Sequence, residues 1–182
     1  IGELISEGNV GMLVDGVNSN KIAKNALRGN VVMGIQLRQS QRNNLWENEI
    51  NDCPVGILLE RCLDNNLSRN HLQNDGNGIM LQASIHNNLE ENNILRGKTG
   101  IDLDQSSYNR IQSNELFENN DGIVIVKSMQ NDLAENIIQS KDTGISLTSS
   151  SGCNITGNIA HNSRKGIKMI DCSDNRLCFN NL

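Results

Sequence analysis

No stretch of this 182-residue chain is apolar enough to span a membrane. Its first residues show no basic-then-apolar signal pattern, which a removed leader or a longer parent chain would equally explain. Lysine and arginine are scattered rather than gathered into a stripe, and the formal net charge is −5. That balance disfavours a nucleic-acid partner, because phosphate binding relies on clustered cations. The five cysteines form no C-x-x-C, so neither a disulfide framework nor a zinc site is indicated. A P-loop, an HExxH helix and the glycine-rich calcium nonapeptide are all missing. Aromatic rings are almost absent, with Trp46, Tyr108, Phe117 and Phe179 the whole set, and Pro54 is the single proline.

What is abundant is asparagine, with thirty copies. Asparagine suits turns and left-handed backbone better than helix or strand interiors, so this excess implies either many similar turns or disorder. Regularly placed Ile and Leu argue against disorder. The length suffices for one buried core, with no need of a second domain.

A glycine followed by isoleucine recurs at Gly34, Gly56, Gly78, Gly100, Gly122, Gly144 and Gly166, a spacing of 22. Gly11-Met12 begins an earlier copy that carries one extra residue between Asn25 and Gly34. With that glycine as offset 0, offset 1 reads Met12, Ile35, Ile57, Ile79, Ile101, Ile123, Ile145 and Ile167. Offsets 3, 11 and 16 are likewise apolar in every copy and never charged. Apolar offsets 1 and 3 alternate with variable residues, the signature of a half-buried strand; offsets 11 and 16 mark two more. The chain therefore reads as all-β, a single right-handed parallel β-helix over residues 1–182, with about 8 coils of 22 residues and three short strands per coil. At about 4.8 Å per coil the rod would be roughly 38 Å long. Residues 1–10 read as the tail of a preceding coil, with Leu4 at offset 16. Neither end shows a polar cap, so further coils, a cap or an oligomer are expected to cover the solenoid's edges.

Asparagine fills offset 14 in every copy and offset 9 in all but one, where Cys153 stands. These columns are expected to sit in turns, with left-handed backbone, and to stack as amide ladders. Offset 6 is Ser or Cys from Ser40 to Cys172, a tight inward corner in which Cys62 and Cys172 pack as small hydrophobes.

The pattern G-I-x-L…N-x-[LI]-x-x-N-x-I resembles the NosD/CASH group of β-helix repeats, found in carbohydrate-binding and sugar-hydrolysing proteins, over nearly the whole chain. The resemblance implies the fold, an extracellular or periplasmic location, and a working surface on the outer face of the Gly-Ile strand. The matching residues build the coil, so the fold does not by itself supply chemistry.

On that face, offsets 2, 4 and 5 point outward and gather Glu60, Asp102 and Asp104, with Arg38, Arg61 and Lys127 nearby. Glu60 and Asp104 share a column two coils apart, roughly 10 Å; paired carboxylates somewhat closer than this serve inverting glycoside hydrolysis. Glu60, Asp102, Asp104 and Lys127 are thus the catalytic candidates. Alternatively Asp102 and Asp104 hold Ca²⁺ with Glu60, leaving Lys127 or Arg38 as base for uronate lyase chemistry. The plainer reading is a solvated strand face with alternating signs. An EF-hand is excluded, since Ser107 and Ser113 replace the needed Gly and Glu. Because NosD proteins serve the maturation of a copper enzyme, the resemblance also raises soft-metal binding. His71, His86 and His161 fall on different columns and the methionines are equally dispersed, whereas soft-metal binding requires clustering.

Leu13, Leu58, Met80, Val124, Val126 and Ile170 on the same face suggest a covered surface, an oligomer interface or a sugar groove, although no ring accompanies them. Two functions follow. One is a β-helix that binds, and as an enzyme would cleave or epimerise, an extracellular polysaccharide; the other is a non-catalytic scaffold for protein association or a NosD-like accessory role. The partner is accordingly a polysaccharide or a protein.

Overall fold

Alternating apolar residues need somewhere to point, and winding the chain gives all of them one interior. The computed structural model describes residues 4–6, 9–30 and 32–182, which form a right-handed parallel β-helix of about eight turns. The first face carries the glycine strands, such as Val55–Glu60, Asn77–Gln82 and Thr99–Asp104. The second carries three-residue strands such as Asn66–Ser68 and Asn88–Glu90, and the third strands such as His71–Gln73 and Asn93–Leu95. In two coils the third and first faces run together as Glu115–Val126 and Ile137–Thr148.

Each glycine strand pairs with the next in register, so Ile57, Ile79, Ile101, Ile123 and Ile145 stack directly, and the one irregularity among these pairings lies at the third corner, between Phe117 and Asp121. Offsets 1, 3, 11 and 16 fill the interior, and from Leu27 to Ile155 their side chains are essentially inaccessible. The glycine column exists because the neighbouring coil leaves no room: a β-carbon on Gly78 would lie 2.7 Å from the Gly100 carbonyl oxygen. Cys53, Cys62 and Cys153 are buried, all five cysteines are free thiols, and burial pushes the Cys62 thiol up.

The asparagines behave differently from the expectation of left-handed turn residues. The left-handed residues are those just before them, at offsets 8 and 13, together with offsets 5 and 18; in the coil of Gly78 they are Ala83, His86, Glu91 and Arg96. The asparagine side chain turns inward instead. Asn92 donates Nδ2 to the Leu67 carbonyl (2.9 Å) and to Asn114 Oδ1 (2.9 Å), while its Oδ1 accepts from the Asn70 backbone N–H (3.1 Å) and Nδ2 (3.0 Å). The same set recurs along offsets 9 and 14, for example at Asn65 and Asn136. Serine does part of this work at offset 6, where Ser84 N–H donates to Ser106 Oγ (3.1 Å) and Ser106 N–H to Ser128 Oγ (2.9 Å).

The register also corrects the first strand. Ile5, not Leu4, stands beside Leu27. The extra residue lies between Leu27 and Gly34, so the seven-residue step to the glycine belongs to that corner alone.

The third corner holds a mixed column: Asn30, Cys53, Asp75, Gly97 and Asn119. Asp75 is 4% exposed, its Oδ1 accepts from the Cys53 N–H at 2.7 Å, and its Oδ2 has no hydrogen-bond partner among the described residues. Burial pushes its carboxyl up to about 7. In the same column Asn119 donates Nδ2 to the Ile94 carbonyl 25 residues earlier. An amide in place of the Asp75 carboxyl would meet the Ile50 carbonyl at that same spacing.

Two outcomes are expected. Asn92→Ala strands two donors and two acceptors in the interior and should cost on the order of 3 kcal/mol, about 10 °C in Tm, by thermal denaturation. For Asp75 the folded pKa lies above the unfolded one, so the folded state holds the extra proton and stability falls as pH rises from about 4 to about 7. Asp75→Asn should flatten that decline and raise Tm more at pH 8 than at pH 5; an equal gain at both would exclude titration of Asp75 as the cause.

Candidate functional site

Strand alternation sends offset 4 outward on the first face, and register stacks it into one column: Asp15, Arg38, Glu60, Gln82, Asp104 and Val126. Arg38 lies between two acids, with Nη1 3.8 Å from Asp15 Oδ2 and Nε 3.4 Å from Glu60 Oε2. All three side chains are substantially solvated, so these pairs orient Glu60 more than they stabilise the coil.

Next to this column, offset 5 opens each corner with left-handed backbone. Ala83 stands there between Arg61 and Gln105, and its short side chain leaves a hollow. Glu60, Arg61, Gln82, Ala83, Asp104 and Gln105 line this groove of about 270 Å³, which crosses three coils. A second hollow of about 500 Å³ lies beside the first coil, against Leu13, Val17 and Lys21; it holds a single carboxylate, Asp15, and none of the predicted site residues.

The structure therefore brings Glu60 and Asp104 together in one groove. Asp102 lies in the adjacent offset 2 column, between Met80 and Val124. Burial in that apolar setting raises its carboxyl above the usual range, the negative charge of Asp104 raises it further, and Lys98 pulls it back. Asn77 Nδ2 donates to Asp102 Oδ2 at 3.2 Å. Being two residues apart on one strand face, Asp102 and Asp104 have backbones about 6.6 Å apart. Lys127 is exposed at offset 5 of the next coil, one step beyond Gln105, and does not line the groove. The groove residues missed at the sequence level are Ala83 and Gln105; the offset 5 column contained them but was read only for charge.

The apolar patch is smaller than the sequence suggests. Leu58 is 7% exposed and belongs to the covered surface, and only Leu13 and Ile170, in the first and last coils, are substantially exposed. Among the described residues no three His, Cys, Asp or Glu side chains converge as a metal site.

The Asp102 environment makes a direct prediction. In a carboxyl-carbon NMR titration Asp102 should titrate above the ordinary aspartate value of about 3.9, Asp104→Asn should lower that midpoint, and Lys98→Gln should raise it. An ordinary wild-type midpoint would contradict the burial of this carboxyl.

Several solved structures share the fold. The periplasmic alginate epimerase AlgG matches with TM-score 0.93 at 20% identity, over 98% of this chain and 48% of that one. XylC, solved in complex with xylose, matches with TM-score 0.64 at 10% identity, over 90% of this chain and 38% of that one. DFA-IIIase from Arthrobacter chlorophenolicus A6, without its lid, gives 0.54 at 11% identity, over 85% and 49%. The chain thus spans about half or less of each neighbour's length, and the likeness is one of fold. A search of curated proteins gives no match. The model of the periplasmic copper-binding protein NosD matches residues 1–121 and again 95–182. Among the described residues no His, Cys, Asp or Glu cluster offers the donor set that a copper centre draws on. With the two matches together spanning the whole sequence, the chain belongs to the NosD family.

Proposed function

We propose that this chain binds a polysaccharide along the outer face of its first strand set, in the periplasm or outside the cell. The observation that carries the reading is the groove from Glu60 through Gln82 to Asp104, lined by carboxylates, amides and one guanidinium. These groups recur at the coil spacing of about 4.8 Å, so each coil offers a similar polar contact to successive units of a hydroxyl-rich polymer. An alginate epimerase and a xylose-bound protein among the fold neighbours support a carbohydrate ligand.

If the bound polymer is also processed, as by a hydrolase, lyase or epimerase, the carboxylates have distinct roles. Asp102, held protonated to higher pH, is suited to donate a proton, and Asp104 beside it to accept one. Glu60 lies across the groove, oriented by Arg38. Lys127, one coil beyond the groove, adds positive charge on the side where an anionic intermediate would form. A calcium ion, if used, would meet Asp102 and Asp104 first.

A second reading, a scaffold for protein association, draws on the outward-facing apolar side chains Leu13 and Ile170 of the first strand face.

Calorimetry against alginate, xylan and glucan oligosaccharides should show one of them binding, with Glu60→Gln and Asp104→Asn each weakening it about tenfold. Binding of none of these polymers sinks the first reading. EDTA-insensitive binding removes calcium from it. A strictly monomeric mass by sedimentation sinks self-association.

A further inference from the structure

The first corner of the helix carries an unusual pair of rings. His86 and Tyr108 both occupy offset 8 in adjacent coils, at φ of 56° and 60°, and stack with centroids 5.2 Å apart and planes 24° apart. Left-handed backbone favours Gly or Asn, and elsewhere in this column stand residues such as Asp64, Gly152 and Asp174. Tyr108 is nevertheless 46% exposed, and His86 is exposed as well, so neither ring is repaid by burial in the core. Ile85 and Met129, both exposed, flank the pair at offset 7. The result is an apolar ridge with a mutually stacked ring pair at its centre, in a chain that has four aromatic residues of the Phe, Trp and Tyr type.

Its position gives the ridge a role. His86 follows Ala83 by three residues and Tyr108 follows Gln105 by three, and Ala83 and Gln105 line the groove. Three residues of chain reach at most about 11 Å, so ring and groove lie around one corner of the same two coils. The geometry points to the stacked His86–Tyr108 pair as an apolar platform beside which a sugar ring of the polymer held in the Glu60–Gln82–Asp104 groove packs. This rests on the polysaccharide reading above and adds the subsite that groove lacks. The groove binds hydroxyls through carboxylate and amide groups, while the platform takes the apolar C–H face of a pyranose, the usual division between polar anchors and an aromatic wall in a ligand site. A protein partner fits less well, because the ridge is only three coils wide and is bordered by the polar groove.

Tyr108 is the single tyrosine, so its ring signals in an NMR spectrum report on this site alone. With the alginate, xylan or glucan oligosaccharide that binds best, the Tyr108 ring resonances should shift on titration. Tyr108→Ala should weaken affinity about tenfold at an unchanged thermal midpoint, Tyr108→Phe should retain it, and Trp46→Ala on the second face should leave it unaltered. If Asp104→Asn weakens binding while Tyr108→Ala does not and the ring signals stay fixed, the platform is overturned and the groove stands. Absence of binding by all three polymers overturns both. A change in sedimentation mass in Tyr108→Ala without a change in sugar affinity overturns the platform in favour of a protein contact.

Discussion

Everything in this molecule depends on the inward-turned asparagine amide. A coil of 22 residues must bend sharply at each corner, and each bend leaves backbone N–H and C=O groups facing an apolar interior. One asparagine side chain has two donors and an acceptor oxygen with two lone pairs. In the ladder it spends them on the coil below, the coil above and a carbonyl 25 residues earlier, as at Asn70, Asn92 and Asn114. Corner and stack are thus satisfied by the same group, and the apolar columns can then close over a dry core.

The third corner shows what happens when the column varies. Asp75 keeps the acceptor half of the asparagine pattern, since it receives the Cys53 N–H, but has no amide to donate. Its carboxyl is therefore stable in the interior mainly when protonated. A position that looks like an ordinary acid in the sequence is a defect in a ladder, and its chemistry is that of burial rather than of a surface.

With the interior committed to the coil, function is confined to outward offsets. Two neighbouring strips of the first face and corner stand out: the carboxylate and amide groove through Gln82, and the ring pair at His86 and Tyr108. Both arise from local departures in a regular lattice. Ala83 is short where Arg61 and Gln105 are long, and the rings stand where small or polar residues are usual. Surface ion pairs such as Arg69–Glu91 and Arg96–Glu118 follow the same stacking rule on other corners, but they are solvated and carry little energy.

The sequence by itself determined the coil length, the parallel stacking, the core columns and the ladder positions, because a strict 22-residue period places chemically equal residues in contact whatever the details. Glu60 and Asp104 sharing a column was legible for the same reason. Tertiary structure decided what periodicity does not encode: that the residue before each asparagine, not the asparagine, takes the left-handed turn; that Ile5 rather than Leu4 aligns with Leu27; that Leu58 is covered; and that Asp102 is half-buried beside Met80 while Lys127 stands outside the groove. Those outcomes depend on side-chain direction at corners and on the sizes of neighbours one coil away, which a column of letters lists without giving their shape.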